Sequence, residues 1–271
     1  MNPTTQIAIR AARKAGSLAM RYFHRVDTLR IQRKSEHDLV SVVDQQAEQA
    51  IIQTIREAYP SHAILAEESG ARGQGDYEWI IDPLDGTHNY LHGLPQFAVS
   101  IALRHRGLLQ TSVIYEPVRN NLYVACRGGG ALLNDRRLRI RQQPAGHSVL
   151  VAASLGVCRA DQQAVYFGLQ QVLTEAGMGL RWSGSSALDL AYVAAGYLNG
   201  TWQQGIQPWG MAAGMLLVRE AGGIVTTLQG GNDPLSSGDL LAGQPKIHAT
   251  MLKHVTQCYQ GEQVMQRGAP A

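Results

Sequence analysis

Two aspartates, three residues apart, lie where an apolar run of the sequence breaks. Asp82 and Asp85 follow the apolar segment 79–81, and Pro83 and Gly86 interrupt it. Two carboxylates held close together by a rigid turn repel each other, which raises a pKa or attracts a cation. Mg²⁺ prefers oxygen ligands and commonly takes a few carboxylates together with substrate phosphate. The pair therefore indicates either a cation site or a simple turn, since Asp-Pro and Asp-Gly are frequent turn formers.

Other polar residues flank this pair in the sequence. Gly86 and Thr87 open a predicted short helix, and the free backbone N–H groups at its start would favour a phosphate. Glu67 and Glu68 follow a predicted strand over residues 62–66. They are either part of the same site or the solvated end of that strand.

The elements that must position these residues can be predicted from periodicity and turn signals. Apolar side chains at three- and four-residue steps predict amphipathic helices over residues 3–25 and 42–59. Ser41 and Asp44 have the spacing of a capping box for the second helix, which is the structural alternative to a functional Asp44. Strands are predicted at residues 62–66, 78–82, 98–104, 110–116 and 121–127. The last two strands form a predicted hairpin, and Asn134-Asp135 favours a further tight turn.

After Pro144-Ala145-Gly146 the pattern alternates between strand and helix. Strands are predicted at residues 149–153, 179–182, 201–204, 224–227 and 240–242. Helices are predicted at residues 160–176, 187–195, 211–221 and 247–259. We therefore expect an α+β half at residues 1–145, carrying the site, and an α/β half at residues 146–271.

Composition excludes several classes of protein. Hydrophobic residues make up 45% and charged residues 17% of the 271 residues, which argues against a disordered chain or a coiled coil. No apolar run approaches the ~20 residues of a membrane span, and we expect no signal peptide. Three widely spaced cysteines predict a reduced, cytoplasmic protein. A net charge of +3 is too small to imply nucleic-acid binding by itself.

Several segments together resemble the inositol monophosphatase family, and within it the bacterial SuhB-type members. The main ones are IDPLDGTHNY at residues 81–90, EESG at 67–70 and WGMAAGMLLVREAGG at 209–223. RKSEHDLVSVVD, RGGGALLN and GSSALDLAYVAAG also match, at residues 33–44, 127–134 and 184–196. The resemblance implies a layered αβαβα fold and Mg²⁺-dependent hydrolysis of a small phosphate monoester, such as a phosphorylated polyol.

The resemblance also implies roles for individual residues. The first metal site would consist of Glu67, Asp82, the Leu84 carbonyl and Thr87. Asp82 and Asp85 would share the second metal, and Glu67 would hold a weaker third ion. Asp44 and Thr87 would orient the attacking water, which makes Asp44, Glu67 and Thr87 the catalytic set.

Substrate contacts are implied in the same way. The amides of Gly86 and Thr87 would bind phosphate, and Lys34 would lie near the entrance to the metal site. The loop that contacts inositol in the family matches Gly184, Ser185, Ser186 and Asp189.

Three positions depart from the family pattern. Gly210 follows Trp209 where the family has an aspartate that completes the second metal site, so that site has lost a carboxylate. Gln203 stands where a glutamate often accepts hydrogen bonds from substrate hydroxyls. His88 replaces a threonine and is either a surface residue or a phosphate contact. An aspartate reintroduced at position 210 is expected to strengthen Mg²⁺ binding.

Two functions of different classes follow from these observations, and a third alternative keeps the enzyme but changes its substrate to fructose-1,6-bisphosphate or a nucleotide 3′-phosphate. The first is an inositol-1-phosphate phosphatase with a weakened second metal site. The second is a catalytically impaired scaffold that acts with the transcription machinery, as SuhB-type members do. Relatives are commonly homodimers, so a homodimer is expected for this chain. The basic segment Arg136, Arg137, Arg139 and Arg141 is either a contact for nucleic acid or an acidic partner, or a solvated hairpin edge, and the hairpin edge is favoured.

Overall fold

The structure of the protein is a computed structural model that describes residues 2–23, 25, 31–35, 38–140, 148–156 and 160–267. At 31–35, 38–41, 160–161 and 259–267 it describes the backbone alone. The predicted boundary at 144–147, Arg141, Cys158 and the tail 268–271 therefore lie outside the described residues, as does the side chain of Lys34.

Helices and strands follow one another along most of the chain. The helices are α1 Pro3–Phe23, α2 Val42–Ala58, α3 Thr87–Leu91, α4 Ala160–Glu175, α5 Ser186–Ala195, α6 Pro208–Glu220, α7 Pro234–Ser237 and α8 Pro245–Arg267. The strands are β1 Ile31–Ser35, β2 Asp38–Ser41, β3 Ala63–Ala66, β4 Gly70–Arg72, β5 Tyr77–Asp85, β6 Ala98–His105, β7 Leu108–Glu116, β8 Asn121–Cys126, β9 Gly130–Leu133, β10 Arg136–Leu138, β11 Leu150–Leu155, β12 Gly179–Arg181, β13 Gly200–Gln204, β14 Ile224–Thr226 and β15 Leu240–Gly243.

Two large sheets organise these elements. The first has eight strands in the order β10-β9-β8-β7-β6-β5-β3-β4, and the second has five in the order β12-β11-β13-β15-β14. Strands β3 and β5 are parallel, so their carboxyl ends meet at one edge of the first sheet. That edge carries Glu67 after β3 and Asp82 in β5.

Alternation along β5 shows how the sequence places the core. Trp79 and Ile81 pack against α1 and α2 on one face, whereas Ile80 joins a cluster with α5 and α6 on the other. A third cluster packs α4 and α8 against β11, β13 and β15 of the second sheet. The layers are therefore α1/α2, first sheet, α5/α6, second sheet and α4/α8, which is the predicted αβαβα arrangement.

Most predicted elements agree with the structure to within a few residues. The hairpin between β7 and β8 and the tight turn are confirmed, the latter with φ of 47° at Asn134 and 64° at Asp135. The prediction missed the β1–β2 hairpin and β4, and it began α6 three residues late. Pro208 begins α6 because proline suits the first helical position, where its missing N–H is not needed. No helix in the described ranges is long and apolar enough to cross a bilayer.

Candidate active site

Glu67 and Asp82 lie side by side at the shared end of β3 and β5. Ala66 is in register with Ile81, and the Glu67 backbone N–H donates to the Ile81 carbonyl at 3.1 Å. Asp82 is only 4% exposed. Burial, followed by the charges of Glu67 and Asp85, raises the pKa of Asp82 well above its ordinary value. The negative charges of neighbouring carboxylates thus make ionisation of Asp82 unfavourable at this edge. A bound cation would offset that repulsion.

A β-bulge separates the two aspartates of β5. Asp82 is in register with Ser100 and Asp85 with Ala98, so β5 holds one residue more than β6 across this stretch. The Leu84 N–H donates to Asp82 Oδ1 at 3.1 Å. The proline in this stretch donates no backbone hydrogen bond, which suits an interrupted ladder.

Asp44 reaches the same site from α2. It is fully buried, and Thr87 Oγ1 lies 3.1 Å from Asp44 Oδ1 and 3.0 Å from the Leu84 carbonyl oxygen. The Thr87 hydroxyl therefore bridges the second helix and the end of β5. The structure brings together Asp44, Thr87 and the predicted metal ligands although they are widely separated in sequence.

The turn before α3 requires glycine. Gly86 has φ of 95°, and a Cβ atom there would lie 2.9 Å from the Gln96 carbonyl oxygen. Thr87 begins α3 immediately after this turn, and its neighbour His88 is exposed. His88 therefore lies at the surface beside this turn, and its contact with phosphate stays a prediction.

Asn89 is a site residue that the sequence reasoning missed. Its Nδ2 donates to the Gln96 carbonyl at 2.8 Å and to the Ser183 carbonyl at 2.7 Å. It therefore ties the α3 turn to the loop that ends at Gly184. The signal was present in the sequence, because an asparagine two residues after a predicted phosphate-binding turn can brace it through its side-chain amide.

Asp85 is held by the N-terminus of α5. It is 7% exposed, and its carboxylate accepts hydrogen bonds from Ser185 Oγ, from Ser186 Oγ at 2.9 Å and from the Ala187 N–H at 3.0 Å. Burial raises the pKa of Asp85, while these donors oppose the rise. Both carboxylate oxygens therefore have protein partners.

Ser186 occupies the space next to Gly210. A Cβ atom built on Gly210 would lie 2.7 Å from Ser186 Oγ and 3.1 Å from Ile206 Cγ2. Ser186 Oγ is also 3.1 Å from the Gly210 carbonyl oxygen. Gln203 is fully buried and donates from Nε2 to the Ser186 carbonyl at 2.8 Å. The predicted departures at positions 203 and 210 thus meet at Ser186.

The two predicted metal sites fit a cation unequally. Glu67, Asp82 and the Leu84 carbonyl offer the oxygen donors that Mg²⁺ prefers. Asp85 already accepts three hydrogen bonds from the start of α5, and Gly210 adds no side-chain oxygen. Within the described ranges, no three His, Cys, Asp or Glu side chains converge as a ready-made ligand set. The first predicted site therefore keeps all of its oxygen donors, whereas the second has one carboxylate fewer than in the family pattern.

Comparison with known proteins gives this arrangement a family. Residues 1–260 match the profile of the inositol monophosphatase family. The chain belongs to that family. It is 43% identical to the "Nus factor SuhB" of Escherichia coli strain K12, over 94% of this chain and 96% of that protein.

Solved structures of the family agree with the fold. The extragenic suppressor protein SuhB from Bartonella henselae aligns with a TM-score of 0.89 at 38% identity, over 94% of this chain and 98% of that one. An inositol monophosphatase from Anabaena aligns with a TM-score of 0.80 at 34% identity, covering 94% and 95%. The layered fold predicted from the sequence is therefore confirmed.

Proposed function

We propose that this protein is a Mg²⁺-dependent phosphatase that hydrolyses inositol-1-phosphate or a related small phosphate monoester. The observation that carries the proposal is the buried Asp82 beside Glu67, with the Thr87–Asp44 hydrogen bond next to it. Membership of the inositol monophosphatase family supports the reaction class. A cation is the natural partner of carboxylates whose mutual repulsion raises a pKa in a buried place.

Each residue of the site has a task in this proposal. Glu67, Asp82 and the Leu84 carbonyl would hold the cation. Bound Mg²⁺ supplies positive charge beside the phosphate and lowers the pKa of a ligated water. Thr87 and Asp44 would orient the water whose oxygen bonds to phosphorus as the bond to the alcohol oxygen breaks. The attacking water supplies the proton with which the alcohol leaves, its oxygen and second hydrogen stay on the phosphate product, and no covalent enzyme intermediate is needed.

The substrate phosphate would bind at the α3 turn. The Gly86 and Thr87 amides begin that turn, and Asn89 fixes it against the loop at Gly184. In this scheme Ser185 and Ser186 hold Asp85 instead of the substrate, because their hydroxyls already donate to it. The second metal of the family scheme, shared by Asp82 and Asp85, is the weakened part of the site.

Replacing Asp82 by asparagine tests the metal assignment. Phosphate release from inositol-1-phosphate should fall by more than about 100-fold, because a neutral amide cannot supply the charge that a cation needs. The matched control is Asp76→Asn, since Asp76 is exposed and pairs with Arg106 in the turn between β6 and β7. Calorimetric titration with Mg²⁺ should show the same loss in Asp82→Asn. A variant that hydrolyses substrate and binds Mg²⁺ like the parent would refute the assignment.

The second candidate function is a scaffold in a transcription complex. The Escherichia coli relative is named a Nus factor, and Gly210 removes a carboxylate from the site. Exposed Arg136, Arg137 and Arg139 would then offer a surface to an acidic partner. A parent protein that lacks phosphatase activity at any Mg²⁺ concentration yet co-elutes with transcription elongation complexes would favour this candidate.

Assembly and location complete the proposal. We expect a homodimer, which sedimentation equilibrium measures directly. Cys126 is a free thiol, which agrees with a reducing, cytoplasmic setting.

A further inference from the structure

A cavity of about 420 Å³ opens beside the proposed phosphate site. One end of it is lined by Asp85, His88, Gly184 and Ser186. These residues belong to the α3 turn and to the start of α5, so the cavity continues directly from the place proposed for the phosphate. A group that leaves the phosphorus atom would be released into this space.

The opposite wall of the cavity is aromatic. Trp182 is 58% exposed and Phe167 is 50% exposed, although both are large apolar side chains. Both rings pack on Tyr166, with ring centroids 6.1 Å and 5.5 Å away respectively. Tyr166 is itself buried and contacts the buried Trp202 at 5.6 Å. The two exposed rings therefore pack against the buried Tyr166 ring on one side and face the cavity on the other.

The groups that would recognise a polyol point elsewhere. Gln203 is fully buried and donates to the Ser186 carbonyl, so its side chain does not line the cavity. Asp189 is 1% exposed and accepts from Ser154 Oγ at 3.0 Å, which directs that hydroxyl inward. Ser186 Oγ donates to Asp85, which accepts three hydrogen bonds from the start of α5. Several polar groups that line or adjoin the cavity are therefore already paired within the protein, whereas Trp182 and Phe167 expose apolar ring surface.

We propose that the alcohol part of the substrate carries an aromatic or heteroaromatic ring that packs against Trp182 and Phe167. The inference rests on the proposed phosphatase function and names its substrate class. Flat rings gain from offset or edge-on contact with aromatic side chains as well as from burial. An aryl phosphate and a nucleoside monophosphate share this chemistry, and the test separates them.

The test compares kcat/KM for three substrates: inositol-1-phosphate, phenyl phosphate and adenosine 3′-monophosphate. The parent should prefer a ring-bearing ester to inositol-1-phosphate, and the two ring esters distinguish an aryl from a nucleoside substrate. Trp182→Ala should lower kcat/KM for the preferred ester roughly 5- to 150-fold, the range for losing one stacking contact. Trp182→Phe should recover most of that loss, and Trp182→Ala should lower kcat/KM for inositol-1-phosphate by a smaller factor than for the preferred ring ester.

The matched control is Tyr197→Ala, because Tyr197 is 59% exposed and is not among the residues that line the cavity. It should leave all three values as in the parent. A parent that prefers inositol-1-phosphate, or a Trp182→Ala variant that lowers all three esters equally, would overturn the proposal.

A binding measurement keeps this proposal separate from the phosphatase activity. If no ester is hydrolysed, the proposed function fails, and calorimetric titration with phenylphosphonate then decides the ring site. Saturable binding that Trp182→Ala abolishes and Tyr197→Ala retains would support the ring site without catalysis. Absence of binding to the parent would overturn it.

Discussion

Restoring an aspartate at position 210 is the sharpest test of how this site differs from its family. The simplest expectation is that Gly210→Asp rebuilds the second metal site. The structure predicts otherwise, because the new Cβ atom would lie 2.7 Å from Ser186 Oγ. The Ser186 side chain must rotate away, and it then loses its 2.9 Å hydrogen bond to Asp85.

The size of this effect can be worked out from the contacts. A hydrogen bond to a charged group contributes about 1.5–3 kcal/mol to stability. Replacing a helical glycine returns about 0.5–1 kcal/mol. Gly210→Asp alone should therefore lower the free energy of unfolding by about 0.5–2.5 kcal/mol. It should gain little Mg²⁺ affinity, because Asp85 is still held by Ser185 and the Ala187 N–H.

Combining the change with Ser186→Ala should behave differently. Alanine removes the hydroxyl that blocks the new side chain and frees one oxygen of Asp85. The double variant should need about 10- to 100-fold less Mg²⁺ for half-maximal activity than the parent. Ser186→Ala alone, with no second carboxylate, serves as the control.

The assay is a double-mutant cycle with two readouts, urea unfolding and Mg²⁺ titration of phosphatase activity. The coupling free energy between positions 186 and 210 should be large and favourable, because Ser186→Ala removes the hydroxyl that obstructs the new side chain of Gly210→Asp. Strictly additive effects on both readouts would refute the reasoning. So would a Gly210→Asp single variant that already reaches the Mg²⁺ affinity of the double variant.

Three further outcomes follow from the site. Asn89→Ala should lower the free energy of unfolding by about 1–3 kcal/mol in urea titrations, since two carbonyls lose their donor. Gly86→Ala should cost at least about 1–2 kcal/mol in the same assay, because φ of 95° disfavours any side chain. Burial raises the pKa of Asp189 to about 7. Between about pH 4 and 7 the native state therefore holds a proton that the unfolded state has released. The contribution of Asp189 to the free energy of unfolding falls as pH rises through this range. The free energy of unfolding of Asp189→Asn should increasingly exceed that of the parent as pH rises from about 5 to 7.5, as measured by urea unfolding in EDTA.

Local patterns were enough to predict most of the fold. Trp79, Ile80 and Ile81 alternate between the two faces of β5, and that period of two identifies a strand packed on both sides. The β1–β2 hairpin escaped prediction because IQRKS and DLVS mix charged and apolar residues without a clear alternation.

The site could be predicted only where it depends on one segment. The motif at residues 81–90 identifies Asp82, Gly86 and Thr87 directly. The hold of α5 on Asp85 could not be predicted, because Ser186 is about a hundred residues away and its hydroxyl has many possible partners. Burial of Gln203 was equally hidden, since an amide can face a substrate or a neighbouring carbonyl with no difference in the local sequence.

The start of α5 connects the two unusual features of this site. Its hydroxyl and amide groups donate hydrogen bonds to Asp85, and the same segment lines the aromatic cavity through Gly184 and Ser186. Three of the about four acceptor positions of the Asp85 carboxylate are thereby used within the protein. We therefore expect the weaker second metal site and the proposed recognition of a ring to depend on the same segment. The proposed cation site between β3 and β5 is separate from it, because these hydrogen bonds end on Asp85 and the Glu67–Asp82 pair lies at the shared strand ends.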